Sequence, residues 1–330
     1  MEEALDSLIN LDLNQRGVAH LHYAALERVG RPLAGAAAEE LAGLAPGARV
    51  LMTTGLAVQP WVSTALIEND GPAGTVALAR ALALGIGAIP ILLAEAETLS
   101  LHRAMAQAAG LIPVEEAVPD PGNIAVCEVL PFPHEEQAAR LAAAELLDRT
   151  RPGALISVER VGPNERGVLH NARGEDIGLG KARLDLLFAE AARRSIPTVG
   201  VGDGGNELGM GLVAGAVRDH VPFGDLCRCG CGGGIGAATA TDVLVTAGVS
   251  NWACYAIAAV LAVRLGMPDL LHTPEAERRL LRRGAELGLL DGVAGVVGES
   301  VDALPASTHV AMVELVERTA RRELERRAAG

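Results

Sequence analysis

The chain has 330 residues, half of them hydrophobic but only 2% aromatic, with 28 basic and 41 acidic side chains and a formal charge of −13. So acidic a protein repels nucleic acid unless it carries a basic stripe, and its one dense basic run, RTARRELERR at 318–327, alternates with glutamates and reads as a solvated helix face. The longest apolar run, 253–263, falls short of the roughly 20 residues a membrane helix needs, so neither nucleic acid nor membrane is an expected partner.

The opening MEEALDSLIN is acidic and has no basic segment ahead of an apolar one, which predicts no signal peptide and a cytoplasmic protein. Residues 1–45 are expected to form helices packed on the flank of a single α/β domain spanning 46–330. Within that domain, short apolar runs alternate with helical patterns. RVLMTT (49–54) precedes GPAGTVALARALAL, and AIPILLA (88–94) precedes ETLSLHRAMAQAAG. NIAVCEVL (123–130) precedes HEEQAARLAAAELLDRT, and ALISVE (154–159) precedes a loop and then KARLDLLFAEAARRS. PTVGVG (197–202) leads into a glycine-rich turn, DVLVTAG (242–248) leads into SNWACYAIAAVLAVRL, and a last helix starts near Thr308. Continuous apolar strands between amphipathic helices predict a doubly wound, mostly parallel sheet of about six strands, buried on both faces.

Ligands of such sheets gather beyond the carboxyl ends of the strands, so the residues that follow each strand matter most. TVGVGDGGNELGMG (198–211) holds six glycines around Asp203, Asn206 and Glu207. Its Gly200–Gly205 portion formally matches the dinucleotide pattern G-x-G-x-x-G, but it follows the fifth predicted strand and places acids where a phosphate would sit. No P-loop sequence exists either, so no nucleotide is expected. The plain reading is a glycine turn whose aspartate caps the next helix. The functional one is close backbone approach to a ligand, with Asp203, Asn206 and Glu207 offering oxygens to a hard cation such as Mg²⁺ or Mn²⁺.

Three further segments carry chemistry. In ENDGPAG (68–74), Asp70 is expected to cap the helix that begins at Pro72, leaving Glu68 as a candidate ligand. In HNARGEDI (170–177), Arg173 either pairs with Glu175 or Asp176 on the surface or clamps a carboxylate with its planar fork. His309 reads as a helix-terminal histidine or as a proton shuttle, and Trp252 as core. Cys227, Cys229 and Cys231 form a C-x-C-x-C run that reads as reduced thiols or a metal site rather than disulfides, and because it lacks structural-zinc spacing and a second ligand pair, thiols are expected ahead of a structural metal.

TTG, ENDGPAGTVALARAL, HNARGEDI, GVGDGGNELGMG, AGVSNW and GVAGVVGESVDALP occur in the order seen in the D-glutamate cyclase C-terminal-like family, and from about residue 50 to 315 the chain resembles that family. CRCGCGGGIGAATAT departs from it, being richer in Gly and Cys. The resemblance implies conversion of D-glutamate into 5-oxo-D-proline and water. It also implies a relation to a hydro-lyase-like domain that precedes this one in animal members, so a separately encoded partner of that kind or a homo-oligomer is an open arrangement. The chemistry assigns a divalent metal to Asp203 and Glu207 to neutralise the side-chain carboxylate. It assigns substrate anchoring to Arg173 and Asn171, and proton removal to Glu159 or His309. Thr54, Gly204, Gly205, Asn206, Ser250 and Asn251 complete the expected substrate contacts. A non-catalytic, metal-dependent carboxylate-binding protein and a hydro-lyase acting on another small acid are the competing readings.

Overall fold

The computed structural model describes residues 1–55, 58–118, 120–122 and 124–329. Seven parallel strands form one sheet: β1 (Arg49–Thr53), β2 (Ile89–Ala94), β3 (Ile112–Val114), β4 (Val126–Pro131), β5 (Ala154–Val158), β6 (Thr198–Gly202) and β7 (Val243–Thr246). Their order is β3-β4-β2-β1-β5-β6-β7. The six predicted strands are all present, and the seventh, β3, has three residues at the sheet edge with Ile112 exposed, too short to carry a pattern. The run predicted from 123 enters the sheet only at Val126, and Asn123 lies outside the described residues.

Alternate side chains of each strand enter different layers, as the pleat requires. Val50, Met52, Ile156 and Val158 join the larger core, whereas Leu51, Ile91, Leu93 and Leu155 join the smaller one. The smaller layer is closed by α6 (Glu136–Thr150) and α7 (Leu184–Arg193). The larger is closed by α1 (Glu2–Ile9), α2 (Val18–Val29), α3 (Leu33–Ala42), α4 (Pro72–Ile86), α5 (Leu99–Ala109), α9 (Ser250–Leu265), α10 (Pro274–Glu286) and α11 (Ala306–Ala328), and α8 (Ala214–His220) follows the glycine-rich turn.

Residues 1–45 have no core of their own. Leu5, Ile9, Leu21, Leu33 and Leu41 are wholly buried in the same layer as β1 and β7. Every residue of α9 from Ser250 to Val263 is buried, so its lack of a polar face marks a central core helix, and Trp252 is packed as expected. Among the described residues no helix is long and apolar enough to cross a membrane.

Strand order reverses between β1 and β5, and a doubly wound sheet opens a crevice at such a point. Here the crevice is floored by the segments that leave β1, β5 and β6.

Candidate active site

A cavity of about 250 Å³ lies at this rim, lined among others by Arg16, Glu68, Glu159, Asn171, Arg173, Asp203, Asn206 and Asp302. Drug-sized ligands occupy roughly 300 Å³ or more, so a small metabolite is the matching size class.

Its floor is set by two helix starts that cap one another. The Asp70 carboxylate accepts the backbone N–H groups of Ser250 (2.8 Å) and Asn251 (2.9 Å) at the start of α9. Asn251 returns the arrangement: its Oδ1 accepts from Gly71 (3.1 Å) and Gly74 (2.6 Å) at the start of α4, and its Nδ2 donates to the Asn69 carbonyl at 3.1 Å. Asp70 therefore caps the other helix rather than mainly its own, which corrects the expectation from sequence, where local capping was the shorter path. Gly71 sits where this exchange is tightest. Its φ is +97°, and an added Cβ would lie 2.5 Å from Thr54 Oγ1 and 2.9 Å from Glu159 Cβ. A side chain there would meet both backbone strain and collision.

The glycine-rich turn is shaped from inside. Glu207 accepts the amides of Asp203 (2.9 Å), Gly204 (2.6 Å) and Gly205 (2.7 Å), which curls the loop and presents Asp203 and Gly204 to the cavity. Asn206 lines the cavity and donates to the His170 carbonyl at 2.7 Å, tying this turn to the loop after β5. In that loop Asn171 accepts from the amides of Arg173 (3.0 Å) and Glu175 (3.0 Å) and donates to the Glu175 carboxylate (2.7 Å). Arg173 then reaches across the mouth to the Val293 carbonyl at 3.1 Å and does not pair with Glu175 or Asp176.

Arg16, from the loop between α1 and α2, enters the acidic end of the cavity. It bonds Asp203, Asp302 (2.7 Å) and the Gly248 carbonyl (3.0 Å), while its buried Nε has no partner among the described residues. Burial alone would lower its pKa, but Asp203, Asp302 and Glu159 outweigh that and raise it further. Asp302 is delivered by a loop folded around Asp291, whose carboxylate accepts the amides of Val293, Ala294 and Ala303. Glu159 and Asp302 both adopt left-handed backbone, at φ +47° and +53°, a strain that clusters at functional sites.

Glu68, Asp70, Glu159, Asp203, Glu207 and Asp302 are all at most 6% exposed. Burial is the first cause that raises the carboxyl pKa of Glu68, Glu159 and Asp203, and neighbouring acids add to it. Asp70 is pushed up to about 8 by burial and then by Asp302, against the amides of Asn251 and Ser250. Ser250 Oγ donates to Glu159 Oε2 at 2.5 Å and fixes that carboxyl, while Glu68 Oε1 is buried without a partner among the described residues. Two oxygen clusters fall within metal-ligand spacing, Glu159 with Asp203 and Glu207, and Asp70 with Asp203 and Asp302. All donors are carboxylates, the set that suits a hard divalent cation.

The structure thus brings Glu159, Asn171, Arg173, Asp203, Gly204 and Asn206 to one cavity wall, with Glu207, Gly205 and Ser250 directly behind them. It does not bring the other three. Both polar ends of Asn251 are engaged in the caps, and the buried Thr54 Oγ1 packs beneath Gly71. His309 is fully buried away from the cavity, accepting from Trp252 Nε1 at 3.0 Å, with its Nε2 beside the Val301 and Leu304 carbonyls. Sequence reading missed Arg16 and Asp302, each of which reaches the site through a contact nearly 200 residues or more away along the chain.

A family model described as D-glutamate cyclase-like, C-terminal, matches residues 5–317, so it includes the N-terminal helices and Arg16. The chain is also similar to the human protein named D-glutamate cyclase, mitochondrial, with 29% identity over an alignment that covers 94% of this chain and 50% of the human one. It therefore spans about half the length of that curated relative. With the family model covering most of the chain and the motifs meeting in one cavity, this protein belongs to the D-glutamate cyclase-like, C-terminal family.

Proposed function

We propose that the rim cavity is the active site of a lyase that closes D-glutamate to 5-oxo-D-proline and releases water. The observation that carries this reading is the buried acid cluster beside Arg16 and Arg173 in a cavity of metabolite size. Family membership supports a cyclase-like reaction in general, and the choice of D-glutamate follows the name of the human relative, with which the cavity's size and charge are compatible.

The reaction forms a bond between the α-nitrogen and the side-chain carboxyl carbon and breaks one C–O bond at that carbon. Two protons leave the ammonium and two leave with the oxygen as water, so a group that takes protons on one side and returns them on the other is needed. Glu159 suits that role. Its pKa is raised by burial and by Asp203, so as a carboxylate it is basic enough to take each ammonium proton in turn, and as the acid so formed it delivers each to the departing oxygen, while Ser250 holds it in place. Arg173 at the mouth anchors the α-carboxylate, and the free Arg16 Nε offers a second donor at the acidic end. Asn206 and the Gly204 turn border the space where the tetrahedral oxygen develops. Asp203, with Glu207 beside it, would hold Mg²⁺ or Mn²⁺, whose charge would offset that of the substrate's side-chain carboxylate. A cytoplasmic location for this activity belongs to the same proposal and is read by cell fractionation.

Purified protein incubated with D- or L-glutamate, with and without Mg²⁺ or Mn²⁺, is assayed for 5-oxoproline by chiral chromatography. Product from D-glutamate alone, abolished in Glu159→Gln, is the expected result. Saturable binding with no product would instead support a carboxylate-binding protein, and product only from other acids a hydro-lyase. Asp203→Asn with unchanged turnover and metal content would defeat the metal assignment.

A further inference from the structure

The C-x-C-x-C run finds a fourth ligand in the fold. His170 Nε2 lies 3.2 Å from Cys229 Sγ and 3.8 Å from Cys231 Sγ, while Cys227 Sγ lies 3.2 Å from Cys229 Sγ and 3.4 Å from Cys231 Sγ. All four donor atoms fall within 4.8 Å of one another. We propose that His170, Cys227, Cys229 and Cys231 form a closed tetrahedral zinc site that clamps the loop after β5 to the loop after α8.

The donor spacing carries the assignment. With Zn–S near 2.3 Å and Zn–N near 2.0 Å, the edges of a tetrahedron come to roughly 3.5–3.8 Å, so the four separations given above need shifts of about half an ångström at most to admit the ion. A disulfide would need sulfurs about 2.05 Å apart, and none of these pairs is that close. Three thiolates with one imidazole are a soft donor set that selects zinc over the hard cations suited to the carboxylate cavity. Among the described residues His170 Nε2 has sulfur hydrogen-bond partners only, and its buried Nδ1 has none, so no oxygen or nitrogen partner there explains the ring's position. Asn164 steadies the cluster from outside, donating from Nδ2 to Cys231 Sγ at 3.4 Å and to the Gly234 carbonyl at 2.7 Å.

The sequence spacing looked wrong because an extended C-x-C-x-C run sets neighbouring cysteines roughly 7 Å apart on one face. Gly230 and Gly232 remove that obstacle. Both adopt left-handed backbone, at φ +82° and +79°, and a Cβ at either would meet nothing within 4 Å. They are needed for backbone freedom rather than space, and the coil they permit turns all three sulfurs to one point. The clamp bears on the cavity. Asn171 follows His170 directly, the His170 carbonyl accepts from Asn206, and the Arg228 amide donates to the Gly174 carbonyl at 2.8 Å. A bound ion would hold the wall that carries Asn171 and Arg173 from its outer side.

The 330-residue chain, purified without added metal, is analysed by mass spectrometry of its metal content, and then after stripping and reloading with Co²⁺. One zinc per chain is expected, replaced by cobalt with thiolate charge-transfer and tetrahedral d–d bands. Cys229→Ser and Cys231→Ala should lose the zinc and those bands, whereas Asp203→Asn should keep both, which separates this ion from any in the carboxylate cavity. Reaction with a thiol reagent before and after chelation provides a readout on unmutated protein: these three cysteines become reactive only after the metal is removed. Protein without zinc, showing octahedral cobalt spectra and three thiols equally reactive with and without chelator, would overturn the proposal.

Discussion

Glu95 and Glu159 each follow the last residue of a buried strand, and each is at most 6% exposed, yet their surroundings treat their charge in opposite ways. Glu95 receives two bonds from Arg160, at 2.6 and 3.1 Å, and the Ala182 amide at 2.9 Å. Burial alone would raise its pKa, but Arg160 prevails and holds it at about 2. Glu159, one residue from that same arginine along the chain, faces Asp203, Glu207, Asp70 and Glu68 instead and is raised well above the ordinary carboxyl range. A buried charge that is fully paired is a fastening, whereas buried acids that outnumber their cations hold protons or wait for a positively charged guest.

The comparison can be broken from either side. The largest expected effect is on turnover: Glu159→Gln should lower kcat by roughly 10²–10⁴-fold, the range for a positioned acid or base, while its melting temperature holds or rises because a crowded acid has gone. A large fall in stability with unchanged turnover would move Glu159 into the fastening class. Arg160→Met should do the reverse, lowering unfolding free energy by about 3–5 kcal/mol in urea titrations because Glu95 is left buried and unpaired. Pairing it with Glu95→Leu should return most of that loss.

The two regions should also show opposite pH slopes. Glu95, with a folded pKa of about 2 against an ordinary value of 4.5, contributes stability that is present above pH 4.5 and is lost as pH falls toward 2. That loss amounts to about 3 kcal/mol and should be missing from the acid limb of Glu95→Gln. Asp70, raised from 3.8 to about 8, favours the folded state at low pH and loses that contribution as pH climbs through this window. A divalent cation should offset the alkaline loss. At a hundredfold excess over its dissociation constant Mn²⁺ should add about 2.7 kcal/mol, and Asp203→Asn should abolish the gain, as followed by thermal melts. The smallest effect is expected from Asn251→Ala, about 1–2 kcal/mol from the lost cap of α4.

Much of this molecule was legible in its residues. Continuous apolar runs identified six strands because each is buried on both faces, and the glycine-rich turn stood out because its backbone must curl around Glu207. β3 escaped because three residues at an edge carry no periodicity. Arg16 and Asp302 escaped for another reason: nothing local distinguishes an arginine or aspartate in a loop, and only the fold sets them beside Asp203. Asn251 shows the converse error, since an Asn at a helix start next to a rim motif suggested a ligand contact, while both its polar ends face the neighbouring helix. His309 misled in the same way, its ring being held within the packed interior by Trp252.

The mutual capping of α4 and α9 has a consequence for how the chain is made. Residues 71–74 leave the ribosome about 180 positions ahead of the asparagine that completes them. During synthesis the first half of the sheet waits with an unfinished helix start. Because so distant a contact closes late, the floor of the cavity should be among the last parts to reach its final form.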